Sequence, residues 1–185
     1  MSELATARLV LRQWRDSDLA PFAALNADPE VMQYMPRCLE RSESEALVGR
    51  YRERIAERGW DLWALERRDD GGFVGALGLA VATFPAPFTP CVEIAWRLPG
   101  HSGARGWRPR RQARCCALAS RPSLLRKCSR SPCPRTAASR AVMARLGMHR
   151  DPGEDFEHPR LPPGHPLRHH VLYRLGRVDR QAPQR

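Results

Sequence analysis

Apolar side chains recur at every second position in ARLVLRQW, where Leu9 and Leu11, followed by Gln13, alternate with Val10 and Arg12. That period and bulk predict a first, half-buried strand. In DSDLAPFAALNADPEVMQYMP the spacing turns helical, with Leu19, Phe22, Ala23 and Leu25 on one face and Asp16 or Asp18 as the cap. Pro29 and Pro36 divide this stretch into two short helices. A longer helix follows in SESEALVGRYRERIAERG: Ser42 and Glu45 read as an S-x-x-E capping box, Leu47, Tyr51 and Ile55 as the apolar stripe, and Gly59 as the stop.

After Gly59 the period returns to two. WDLWALERR and GFVGALGLAVATF read as strands of one hairpin across the turn DDGG, and the proline-rich FPAPFTP ends the pair. CVEIAWRL is the next strand, with Val92, Ile94 and Trp96 on one face and Glu93, Ala95 and Arg97 on the other. Beyond residue 136, SRAVMARLG predicts a helix that turns Val142, Met143 and Leu146 inward and stops at Gly147. HHVLYRLGRV predicts a last strand, and residues 179–185 form a polar tail. Strand, helices, three strands, a gap, helix and strand make an α/β or α+β domain with helices packed on one mixed sheet. The gap falls where one more helix and strand are expected.

Composition changes the picture only in that gap. The chain of 185 residues is 42% hydrophobic and 28% charged, which fits one globular domain, here residues 1–178. Its start lacks the pattern of a signal peptide and no run is long enough for a membrane helix, so the expectation is a cytoplasmic protein with no membrane partner. The formal net charge is +11, yet the window from His101 to Arg135 holds ten Lys or Arg and no Asp or Glu. It also holds Cys115, Cys116, Cys128 and Cys133, four of the six cysteines, in no C-x-x-C spacing, so no metal site is expected. A basic RNA- or DNA-binding protein is one reading of such charge, but the window lacks aromatic residues interleaved with its cations beyond Trp107. No nucleic-acid partner is expected.

The segments TARLVLRQW, LNADPEVMQYMP, FVGALGLA, VEIAWRL, SRAVMARLGM and GHPLRHHVLYRL, in this order and spacing, resemble the GNAT N-acetyltransferases. The similarity covers residues 5–100 and 137–175 and is to the subgroup that acetylates ribosomal-protein N-termini. It implies a mixed, mostly antiparallel central sheet flanked by helices, acetyl-CoA as donor, and a primary amine as acceptor, either a protein N-terminus or a small amine. It also implies a cofactor cleft beside VEIAWRL, where the backbone of Ile94, Ala95 and Trp96 pairs with the pantetheine arm as an added strand would. Glu93, beside the expected thioester, is the candidate general base, or else a carboxylate in an ordinary sheet-face ion pair. Ser139 either touches the cofactor or is simply an N-cap or first-turn serine of its helix. Trp14, Tyr34 and Met35 either line the acceptor pocket or belong to the core. His158, His165, His169 and His170 read as a structural or acceptor-binding loop. Nothing here specifies an oligomeric state.

The family pattern after that strand, close to H-W-G-R-G-L-A-T-E-A-A, is a glycine turn opening a helix whose free N–H groups hold the pyrophosphate. This chain reads HSGARGWRPRRQA: Gly103, Arg105 and Gly106 remain as pyrophosphate candidates, but Pro109 stands in the first turns of the expected helix. The genetic code offers a reason. With each new codon taking the last base of one residue and the first two of the next, Trp107 to Gln112 can be read L-A-T-E-A-A, and Lys127 to Thr136 as E-V-L-A-V-T-V-P-A-N. Both readings restore the family pattern at its place. Residues 101–136 are therefore expected to be an out-of-frame segment, and the protein either an acetyltransferase or an inactive relative that has lost its pyrophosphate loop.

Overall fold

The computed structural model describes residues 4–99, 128–130 and 137–175. In chain order these form β1 (Leu4–Ala5), β2 (Leu9–Arg12), a 3₁₀ turn (Asp16–Asp18), α1 (Leu19–Ala27), α2 (Pro29–Met32), α3 (Arg41–Arg58), β3 (Leu62–Arg67), β4 (Phe73–Ala82) and β5 (Cys91–Arg97). After residue 127 come β6 (Cys128–Arg130), α4 (Ala137–Arg145), β7 (His149–Arg150), a 3₁₀ turn (Pro152–Glu154), β8 (Phe156–Glu157), β9 (His169–His170) and β10 (Tyr173–Leu175). Among the described residues no helix is long and apolar enough to cross a membrane.

The expected mixed sheet is present, in the order β1-β2-β3-β4-β5-β6-β10-β7. Every described neighbour is antiparallel except β5 and β6, which run parallel with Val92 opposite Cys128 and Glu93 opposite Ser129. A parallel pair needs a long connection, and the thirty residues between Arg97 and Cys128 are long enough for one. Strand β6 lies within the segment expected to be out of frame; the rest of that segment, and the tail 179–185, lie outside the described residues.

Alternation divides the core into two layers. Leu9, Leu11, Leu65, Leu77, Leu79 and Ile94 face α4 through Val142. On the opposite face, Leu62, Ala64 and Ala76 meet Trp14, Phe22 of α1, and Val48, Tyr51 and Ile55 of α3. The predicted faces of β5 hold: Val92, Ile94 and Trp96 join the first layer and Ala95 the second.

Strand β4 departs from strict alternation, because Phe73 and Ala76 belong to one layer and Val74 and Leu77 to the other. A bulge accounts for it: Leu65 pairs with Gly75 while Glu66 pairs with Phe73, so one residue of β4 is extra. Gly75 has φ +154, and a Cβ there would lie 2.3 Å from the Arg97 carbonyl oxygen. Gly75→Ala is accordingly expected to destabilise the fold by about 3 kcal/mol or more, measured as a lower midpoint in urea denaturation. A shift of less than about 0.5 kcal/mol would show that β4 and β5 can part without loss.

Two boundaries differ from the sequence reading. Helix α3 starts at Arg41, so its cap is Glu40 rather than Ser42, and Glu43 Oε2 accepts the Glu40 backbone N–H at 2.9 Å while its carboxylate pairs with Arg37. Ser44 is instead fully buried. The single C-terminal strand is two: β9 pairs with β8 in a separate hairpin, β10 pairs with β6 and β7, and Val171 and Leu172 between them are buried.

One ion cluster is buried at the end of β2. Arg12 and Asp18, exposed by 4% and 2%, form two parallel bonds, Nη1 to Oδ2 at 2.6 Å and Nη2 to Oδ1 at 2.9 Å. Arg12 Nε donates to Glu66, and the Arg15 backbone N–H donates to Asp18 at 2.8 Å.

Candidate functional site

The parallel junction of β5 and β6 is where the sheet changes its order of construction. Strands β1 to β5 are neighbours in chain order, whereas β6 reaches the edge of β5 by a crossover and leads on to α4. In open sheets a crevice forms off the carboxyl ends of the strands at such a switch point, and ligands bind there. Glu93 stands in register with Ser129 across this junction and with Ala80 on the other side. It is half-buried, as are Ala95 and Trp96, while Ile94 is 1% exposed. The backbone of residues 94–96 thus continues β5 past the registered parallel pairs towards its carboxyl end.

Beneath the Glu93 face runs a polar chain that pattern reading did not find. Arg97 Nη1 donates to Asn26 Oδ1 at 2.6 Å, and Asn26 Nδ2 donates to Ser44 Oγ at 2.7 Å. The Asn26 backbone carbonyl accepts the Leu39 N–H at 3.0 Å. Asn26 and Ser44 are both fully buried, so one amide ties β5, α1, α3 and the 33–40 turn together. The signal in the sequence was a polar residue four positions after Phe22, on the apolar face of α1. Burial pushes the Arg97 guanidinium down. Burial also pushes the Tyr51 phenol up, to about 12, against the opposing pull of Arg97.

Of the acceptor-pocket candidates, Trp14 is a core residue: it is 4% exposed, its indole N–H donates to the Leu62 carbonyl at 2.7 Å, and its ring lies 4.8 Å from Phe22. Its burial and ring contacts fit the core alternative for this residue. Tyr34 and Met35 are half-buried in the turn after α2, which leads to Leu39. Ser139 is half-buried in the first turn of α4 and is not its cap, since the helix begins at Ala137. Gly103, Arg105 and Gly106 lie outside the described residues.

His158, His165, His169 and His170 belong to the β8–β9 hairpin and its loop. His165 Nδ1 accepts the Leu167 N–H at 3.1 Å, and His169 lies 3.2 Å from Glu157. Among the described residues no three His, Cys, Asp or Glu side chains converge as a metal site.

A family model described as an acetyltransferase (GNAT) domain matches residues 8–149. The fold is similar to that of a GNAT-family acetyltransferase from Bacillus anthracis, with TM-score 0.71 and 16% identity over 95% of this chain and 99% of that one. It is also similar to the ribosomal-protein-S5-alanine acetyltransferase of Vibrio fischeri, with TM-score 0.71 and 13% identity over 97% and 98% of the two chains. A ribosomal L7/L12 α-N-protein acetyltransferase, solved in complex with coenzyme A, gives TM-score 0.66 and 14% identity over 94% and 97%.

Proposed function

The chain belongs to the GNAT acetyltransferase family, and on that premise we propose that it transfers an acetyl group from acetyl-CoA to a primary amine. The acceptor is a protein N-terminus or a small amine; similarity of fold to enzymes acting on ribosomal proteins supports the former. The observation that carries the reading is the parallel β5–β6 junction with Glu93 in register at it.

Acetyl-CoA supplies the thioester carbonyl that the amine attacks, forming a C–N bond as the C–S bond breaks. The chain's own part is positional and protolytic. Extended backbone at Ile94, Ala95 and Trp96 offers peptide groups at the spacing of an added strand, which suits the amides of a pantetheine arm. An attacking amine must be neutral, so the Glu93 carboxylate takes its proton, directly or through one water. Ser139, in the first turn of α4, can donate a hydroxyl to the cofactor. Tyr34 and Met35, on the turn fixed through Asn26, line the acceptor side. Gly103, Arg105 and Gly106 would receive the pyrophosphate.

A second reading, an inactive relative, is favoured by Pro109 in the segment that should open the pyrophosphate helix. The two readings part on frame. In a chain whose frame is restored across 101–136, Glu93→Gln is expected to lower kcat about 10²–10⁴-fold and leave acetyl-CoA affinity unchanged. Thiol release with an N-terminal peptide as acceptor gives the rate, and calorimetry the affinity. Equal losses in both would make Glu93 a structural residue, and an unchanged rate would remove it from the chemistry.

A further inference from the structure

The β8–β9 hairpin closes onto the loop between β4 and β5 through a patch of rings. Phe84 is 7% exposed and stacks on Phe156 with centroids 5.8 Å apart, and Phe88 meets Phe156 at 4.9 Å. His158 is the tightest contact across the joint, 4.5 Å from Phe84, and it also neighbours the rings of His170 at 4.9 Å and Phe156 at 6.2 Å. The loop is tied internally: the Thr89 hydroxyl accepts the Ala86 N–H at 3.1 Å and lies 2.9 Å from the Ala86 carbonyl oxygen.

We propose that His158 is a pH-sensitive latch: its neutral ring holds the 83–90 loop against the β8–β9 hairpin, and its protonation releases the loop. The geometry favours the neutral ring on three counts. His158 Nδ1 accepts the Arg160 N–H at 3.3 Å, so a proton there would set donor against donor. A second imidazole, His170, faces the same ring. The loop, Thr83 to Pro90, carries no ionisable side chain to balance a new charge.

The charged groups around the joint do not compensate either. Arg160 follows in the turn, and on β9 and beside it stand His170, His169 and Arg168, the last two paired with Glu157. Arg174 of β10 lies 5.8 Å over Phe88 and is paired with Glu154, while Asp155 is paired with Arg150. Burial, and then Arg160, hold the His158 imidazole below its ordinary value of 6.5. A group depressed in the closed form contributes its stability above the open-form pKa and loses it as pH falls. Release therefore begins as pH drops through about 6.5, where an open imidazole takes its proton. The loop leads directly into Cys91, the first residue of β5 and two before Glu93, so its release loosens the entry to that strand.

The test is hydrogen exchange on the full chain between about pH 8 and about pH 5.5, corrected for intrinsic exchange, with His158→Phe as the non-titrating ring. In the wild type, exchange across 83–91 and 156–170 is expected to rise several-fold on acidification while α3 stays constant; in His158→Phe the loop stays protected at both pH values. A wild-type loop indifferent to pH, or a variant that keeps the response, would overturn the latch. An imidazole NMR titration of the unmodified chain gives the answer even if the variant fails to fold: a His158 midpoint at or above about 6.5 rules the latch out.

Discussion

Restoring the shifted frame between Gly100 and Ser139 is expected to turn a chain with weak or absent acetyl-CoA binding into one that binds it and acetylates an amine. The flanking elements already fit one another: β5 has its two faces filled as its pattern requires, and α4 brings Val142 and Met143 fully inside. In sequence, Pro109 stands in the first turns of the helix whose N–H groups would be expected to hold the pyrophosphate. Each charge-assisted hydrogen bond contributes about 1.5–3 kcal/mol. Losing two raises Kd by ~100-fold or more. Calorimetry on both chains decides the matter. Tight, micromolar binding by the chain as written would mean that HSGARGWRPRRQA itself holds the pyrophosphate. If the restored chain bound no acetyl-CoA, the out-of-frame reading would be wrong.

The second large effect is on stability. Asp18→Ala should destabilise the fold by about 3–5 kcal/mol, because it strands the Arg12 guanidinium in a site that is 4% exposed. Asp18→Asn keeps the shape and should cost less. Burial pushes the Asp18 carboxyl up, but the bonds from Arg12 and from the Arg15 backbone outweigh it, and the group titrates below its ordinary value of 3.8. Its contribution is therefore complete above about pH 3.8 and is lost as pH falls through the lowered folded value. Urea denaturation at neutral pH checks the first claim. An acid series checks the second, with the wild type converging on Asp18→Ala at low pH. A neutral-pH cost under about 1 kcal/mol would show that Glu66 alone satisfies Arg12.

The strands were legible where local alternation and tertiary packing agree, as in β2 and β5. In β4 alternation fails at Gly75, since a bulge serves the pairing of three strands and not any period within one. The start of α3 was misread because Ser42 and Glu45 offer the usual box, while Glu43 is drawn to Glu40 and Arg37. Val171 and Leu172 continue an apolar run that looks like one strand, yet the partners on either side of them lie in different sheets. Of the candidate site, Glu93 and its strand were visible in the sequence. The chain from Arg97 through Asn26 to Ser44 was not, because 71 and 18 residues separate its members. Trp14 illustrates the converse: an aromatic residue at a strand end suits pocket or core, and nothing in the pattern announces its indole bond to the Leu62 carbonyl.

The order of strands also sets a schedule for synthesis. Strands β1 to β5 stand side by side in the sequence in which they are made, so the first half of the chain can assemble its sheet and the α1–α3 layer as it leaves the ribosome. Strands β6, β10 and β7, with α4, arrive last and cover the side of β5 that the nascent sheet leaves as its border. Until they do, a seven-residue border strand rich in apolar side chains is a template for any other extended chain. The time taken to translate from the end of β5 at Arg97 through β6 at Arg130 is thus the least time for which the newborn protein is exposed to mispairing.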